Sequence, residues 1–243
     1  MPRHSYTYKA LNRLVGKAIH RYKMIDDGDR IAVGLSGGKD SLTLLWFLAE
    51  RRKRVPIDYT LFPIYVDPGF PGGVANELAE TCRRLGFDLT LDRTNHGSVA
   101  HSEQNRENPC FLCARLRRKR LYQLADRLGC RKLALGHNKD DIIETLFLNI
   151  CYAGEISTMV PYQKLFQGRF SVIRPLAMVD ETSIRRFAQA QGFPQFANPC
   201  PSAGQTKRTD IKRLLAVLYR SNRKIKGNIY RAMSHVKPEY LLK

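Results

Sequence analysis

Two small groups of residues in this chain are suited to chemistry. The first is "SGGKDS", residues 36–41, between the apolar run "RIAVGL" and the helical pattern "SLTLLWFLAERRK". Gly37 and Gly38 let the backbone turn sharply and approach a ligand. Free N–H groups at the start of a helix attract phosphate oxygens. Ser36 and Ser41 add hydroxyl donors, and Lys39 adds charge. Asp40 would be wasted on bare phosphate but has a purpose if Mg²⁺ bridges it. The stretch does not fit the common G-x-x-x-x-G-K-[ST] loop. Two glycines alone would suit any strand-to-helix turn, but the whole hexapeptide between a strand and a helix points to a nucleotide. The second group is made of thiols. Cys110 and Cys113, in "CFLC", form a C-x-x-C just before a helical pattern. Alone it permits zinc, a redox pair, an iron–sulfur cluster or coincidence. Structural zinc needs four ligands; there is no second C-x-x-C, and His96 and His101 lie in a polar loop. The order of elements is wrong for a thioredoxin-like pair. Cys200, in "NPCPSAG", has proline on both sides, which favours a rigid extended loop presenting its side chain. Cys82, Cys130 and Cys151 fall at helix or strand-edge positions in apolar company and are read as structural. Three thiols are one short of full ligation for a cubane cluster, and an incomplete ligand set leaves one metal open, as catalytic metal sites do.

These groups need a scaffold to hold them. Residues 7–24 read as an amphipathic helix, and "RIAVGL", "DYTLFPIYVD", "FDLTLD", "KLALG" and "SVIRPL" as strands, with helices between them. Such alternation indicates an α/β fold, a parallel sheet flanked by helices with right-handed crossovers. After Phe193 the alternation stops and a small helical C-terminal appendage is expected. The expected division is residues 1–28 as an N-terminal helix, 29–192 as the nucleotide-binding domain and 193–243 as a basic appendage carrying Cys200. A hydrophobic content of 43% over 243 residues supplies a core. No apolar run reaches the ~18 residues of a membrane span. The start, "MPRHSYTYKALNRLVGKAIHRYKMI", lacks the apolar core of a secretory signal. Six cysteines in such a chain suit a reducing, cytoplasmic setting.

Lys and Arg number 41 against 22 Asp and Glu, a net charge of +19 that favours a polyanionic partner. The basic residues cluster. Arg115, Arg118 and Lys119 share one face of a helix, away from Leu121, Leu124, Ala125 and Leu128. The tail adds Lys207, Arg208, Lys212, Arg213, Arg220, Arg223 and Lys224. Any one of these could be a solvated charge, but as a group they suit RNA and strongly salt-dependent binding.

The hexapeptide is similar to the SGGxDS loop of the PP-loop ATP pyrophosphatases, which cleave ATP between its α and β phosphates and transfer AMP to an oxygen. "IYVD" resembles that superfamily's adenine-flanking strand end, placing Val66 and Asp67 near the nucleotide. "LGHNKDD" resembles its LGH-x-x-DD segment, with Gly136 and His137 near the nucleotide and Asp140 and Asp141 holding Mg²⁺ or poising the target base. Over nearly the whole chain, "LSGGKDS", "PGFP", "C-x-x-C-x-RLRR", "IRPLA" and the late cysteine resemble the tRNA 2-thiocytidine synthetase family. That resemblance implies ATP, Mg²⁺ at Asp40, and a [4Fe–4S] cluster on Cys110, Cys113 and Cys200. It implies tRNA as substrate, thiolated at C2 of the cytidine that opens the anticodon loop, and a sulfur donor such as a cysteine desulfurase. No membrane partner is expected, and a homodimer is compatible with it. The chain departs from the pattern where a further late cysteine is frequent, and where Asn138 and Lys139 replace a His-Arg pair. Two rivals remain: another PP-loop reaction on tRNA, lysidine formation or uridine thiolation, and a non-catalytic zinc-containing RNA-binding protein.

Overall fold

Strands with little polar alternation are covered on both faces, and here they build the sheet. The computed structural model describes residues 5–196, 199–204 and 206–242. Among these, β1 (Asp29–Leu35), β2 (Tyr59–Asp67), β3 (Thr90–Arg93), β4 (Lys132–Leu135), β5 (Tyr162–Leu165) and β6 (Phe170–Ile173) form one sheet in the order β3-β2-β1-β4-β6-β5. All neighbours are parallel except β5 and β6, which form an antiparallel hairpin at the edge. The chain leaves β1 toward β2 on one side and returns to β4 on the other. The order reverses at the carboxyl ends of β1 and β4, the place where open α/β sheets bind ligands. Gly34 pairs with Leu135 there, so residues 36–41 and Gly136 emerge side by side.

The helices hold that end in place. Ser5 caps α1 (Tyr6–Arg21), its Oγ accepting the Tyr8 N–H at 3.2 Å. The apolar face of α1, including Leu11, Val15 and Ala18, is buried. α2 (Lys39–Arg52) starts at the glycine loop and packs against α7 (Glu181–Ala190) through Trp46, Phe47 and Phe187, with Tyr8 of α1 in the same aromatic cluster. α3 (Ala75–Arg84), the short α4 (His96–Ala100) and α5 (Pro109–Arg127) complete this unit, which takes in the chain up to Asn138 together with Val160–Ala203.

Several local details differ from the expectations above. β5 was not foreseen, because four residues, "YQKL", and a turn at "FQG" carry no usual hairpin signal. The third strand begins only at Thr90, and the polar stretch after it contains α4. Cys82 and Cys130 are buried, but Cys151 is exposed, which corrects its reading as a structural residue in apolar company. The cause is the end of α6 (Lys139–Leu148), where the helix widens into a π turn over Asn149–Ala153 that carries Cys151 on the surface. Among the described residues no helix is long and apolar enough to cross a membrane.

A second unit comprises Lys139–Met159 and the chain from Gly204 onward. In it α6 packs against α8 (Lys207–Ser221) and α9 (Ile225–Ala232) around Ile143, Ile211 and Leu215. Glu144 is 4% exposed in this unit, 3.5 Å from Lys212 and 3.9 Å from Arg208, and its Oε2 has no hydrogen-bond partner. Burial pushes its carboxyl up to about 7, against the pull of Lys212. A folded pKa above the unfolded value means that the stability it contributes is complete below about 4.5 and is lost as pH rises through about 7. Glu144→Gln is therefore expected to gain on the parent by roughly 3 kcal/mol between pH 4.5 and 8. Denaturant unfolding at both pH values checks this; a constant gap would contradict it.

Candidate active site and thiol centre

The glycine loop is already shaped for a ligand. Gly37 has φ +78°, open to glycine and strained for other residues. The Ser36 N–H donates to Ser41 Oγ at 3.2 Å, Ser41 Oγ donates to the Gly38 carbonyl at 2.9 Å, and the Gly38 N–H donates to Ser36 Oγ at 3.3 Å. A Cβ on Gly37 would stand 3.0 Å from Val74 and 3.3 Å from Phe196. A Cβ on Gly136 would stand 2.9 Å from the Ser41 nitrogen and 3.0 Å from the Asp40 carbonyl carbon. Backbone therefore closes on backbone at Gly136, whereas Gly37 is closed over by the Val74 and Phe196 side chains.

Lys39 Nζ bridges Asp40 Oδ2 at 3.0 Å and Glu181 Oε1 at 2.9 Å. Burial alone would lower the Lys39 pKa, but Asp40 and Glu181 outweigh it, raise it and keep the ammonium charged. Asn138 donates to the other Asp40 oxygen at 3.0 Å. Glu181 and Asn138 were passed over in the sequence, where they lie 142 and 98 residues from their partners. Val66 is buried, and Asp67 turns its Oδ1 to the Gly69 N–H at 2.9 Å. Arg174, 6% exposed, donates from Nε to His137 Nδ1 at 3.3 Å and also to the Val160 carbonyl and Gln163. Burial lowers the Arg174 pKa to about 10. Because His137 Nδ1 accepts, the proton of its neutral ring sits on Nε2.

The thiols meet in this same unit. Asn108 caps α5, accepting the Phe111 N–H at 3.2 Å, and Pro109 takes the first helical position. Cys110 and Cys113 thus share one face of the helix N-terminus, three residues apart. The Cys113 thiol is pushed up by burial, pulled down by Arg117 one turn on, and pushed up again by Cys200 and Cys110. Cys113 therefore lies within electrostatic reach of both other thiols. His101 anchors the Cys200 loop. Its Nδ1 faces the Gly97 carbonyl at 2.9 Å and so carries the proton, leaving Nε2 to accept from Ser202 Oγ at 2.9 Å, with Cys200 Sγ at 4.0 Å. Phe70 of "PGFP" stacks edge-on to His101 at 5.5 Å.

Among the described residues no three His, Cys, Asp or Glu side chains are grouped to hold a single metal ion. A cube asks for a different arrangement, since each thiolate binds its own iron. Soft thiolate ligands suit such a cluster, and Cys110, Cys113 and Cys200 are free thiols, with Cys113 inside the field of the other two, which fits it.

The basic residues divide. Arg115, Arg118 and Lys119 are exposed on α5, and Arg115 pairs with Glu107 at 2.8 Å. In the second unit Arg208 and Lys212 are committed to Asp141 and Glu144, and Lys226 holds Asp140 at 2.6 Å. Lys207 lies over the Tyr152 ring, Arg213 faces Asp210 at 3.6 Å, and Arg220 is exposed.

A mostly parallel sheet with a glycine loop at its switch point defines the class, and residues 7–217 match the PP-loop domain family. The tRNA-cytidine(32) 2-sulfurtransferase of Geobacter sulfurreducens is 41% identical over 238 residues, covering 97% of this chain and 93% of its own length. That of Pelobacter propionicus is 42% identical over 239 residues, covering 97% and 88%. Among solved structures, the U34-tRNA thiolase NcsA from Methanococcus maripaludis, determined with its [4Fe–4S] cluster, has the same fold. Its TM-score is 0.80 at 24% identity, covering 97% of this chain and 80% of that one. The chain belongs to the PP-loop family and, within it, to the tRNA-cytidine(32) 2-sulfurtransferases.

Because its Cβ would meet loop backbone rather than a flexible side-chain end, Gly136→Ala is expected to weaken ATP binding by about 5- to 150-fold, the ~1–3 kcal/mol of overpacking. Calorimetric titration with a non-hydrolysable ATP analogue checks this; unchanged affinity would show that the loop yields freely.

Proposed function

We propose that this chain is an ATP-dependent tRNA thiolase that adenylates C2 of cytidine 32 and exchanges its oxygen for sulfur. What carries the reading is that the phosphate loop and the thiols of Cys110, Cys113 and Cys200 belong to one folded unit, in a chain about 41% identical to cytidine thiolases. The N–H groups at residues 37–39 and the Ser36 and Ser41 hydroxyls receive the ATP phosphates. Lys39 leaves its carboxylate partners to neutralise charge on the departing pyrophosphate. Asp40, oriented by Asn138, holds Mg²⁺. Val66 and Asp67 border the adenine, and Gly136 keeps the loop close while His137 presents its Nε2–H. The cytidine C2 oxygen attacks the α-phosphorus and pyrophosphate leaves. Sulfide then adds at C2 and AMP departs with the former oxygen. Cys110, Cys113 and Cys200 hold the [4Fe–4S] cluster, which when bound supplies an unligated iron for sulfur.

The target base must leave its stack to reach the nucleotide. Arg115, Arg118, Lys119, Lys207, Arg213 and Arg220 take RNA phosphates, and Arg208 and Lys212 join them only by giving up Asp141 and Glu144. Asp141 is released to poise the base once Arg208 is drawn away. The enzyme is placed in the cytoplasm, with a cysteine desulfurase as sulfur donor.

Nucleoside mass spectrometry of tRNA treated with iron-reconstituted protein, ATP and sulfide tests this. 2-Thiocytidine should appear only with ATP, and Lys39→Ala should slow it about 10²–10³-fold. A 2-thiouridine product, or thiolation without ATP, would overturn it.

A further inference from the structure

Phe166 occupies backbone that its side chain makes costly. Its φ is +51° and that of Gln167 is +57°, at the turn joining β5 to β6. Such turns normally carry asparagine, aspartate or glycine, and a bulky residue there is an outlier that points toward function. Core packing does not account for it, since Phe166 is 58% exposed. Its ring stands edge-on to Tyr122 of α5 at 6.0 Å and 6.5 Å from Phe170, with Tyr122 and Phe170 5.5 Å apart. These three rings line a cavity of about 570 Å³ together with Arg131, Arg169 and Asp126. The Arg169 Nε donates to the Phe166 carbonyl at 3.3 Å and holds the turn. An aromatic corner takes a flat ring, two arginines take phosphate, and a carboxylate accepts from an exocyclic amino group.

We propose that this corner is a second RNA-docking site, receiving one unpaired base of the tRNA with its phosphates on Arg131 and Arg169. The choice of RNA rests on the thiolase reading and on the net charge of +19. The corner is remote from the reaction. Arg131 precedes β4 and Phe170 opens β6, whereas residues 36–41 follow the far end of β1, parallel to both through β4. A seven-residue strand spans about 23 Å, so a folded RNA can engage both ends of the sheet while a free nucleotide cannot.

The test uses the full chain with labelled tRNA in fluorescence anisotropy and a single-stranded oligonucleotide carrying 2-aminopurine. Phe166→Asn suits the left-handed turn, so its thermal midpoint should hold or rise. Its tRNA affinity should fall about 5- to 100-fold, and its quenching of 2-aminopurine should be lost. Phe166→Trp should stay within about twofold of the parent in tRNA affinity. Parent-like tRNA binding and quenching by a folded Phe166→Asn would overturn the proposal. If the parent itself fails to bind tRNA, the thiolase reading falls, and oligonucleotide quenching still decides whether the corner takes a base.

Discussion

The contact on which the rest of this architecture depends is the return of the Cys200 loop to α4 and α5. His101 and Cys200 are 99 residues apart in the chain, yet the imidazole accepts from Ser202 and lies 4.0 Å from the Cys200 sulfur. The segment leading into that loop also covers the nucleotide site, because Phe196 lies against Gly37. Phe196 therefore packs on the glycine loop while Cys200 approaches His101. The "PGFP" turn after β2 joins the same network, with Phe70 against both Gly97 and His101.

The nucleotide end is held together by charge as well as by close packing. Lys39 is already neutralised by Asp40 and Glu181, and Asp40 is oriented by Asn138. The Lys39 ammonium is thereby fixed beside the first turn of α2. The topology makes this possible. Parallel β1 and β4 place Gly136 against the first turn of α2, where only a residue without Cβ fits. The second unit uses the same balance of charges differently, with Asp140, Asp141 and Glu144 matched by Lys226, Arg208 and Lys212.

Features carried by local pattern were legible in the sequence. "SGGKDS" declared its strand–loop–helix setting, and the exposed Arg115, Arg118 and Lys119 follow helical spacing; Cys110 and Cys113, expected just before that helix, lie inside its first turns because Asn108 caps it and Pro109 opens it. Features set by distant partners were not legible. Glu181, Asn138, His101 and Arg174 gain their roles from residues far along the chain. The β5 edge strand hides behind a turn whose residues disfavour its own backbone. Cys151 looks buried by periodicity, but the helix loses its 3.6-residue repeat at the π turn just where that cysteine falls.

The central claim is that Cys110, Cys113 and Cys200 form one ligand set. Iron per chain and absorbance near ~400 nm, measured after anaerobic reconstitution of the parent, Cys200→Ser and Cys151→Ser, test it most directly. The account expects Cys151→Ser to match the parent and Cys200→Ser to lose most of its iron while its thermal midpoint stays close to the parent's. A folded Cys200→Ser with the parent's full iron content would contradict it.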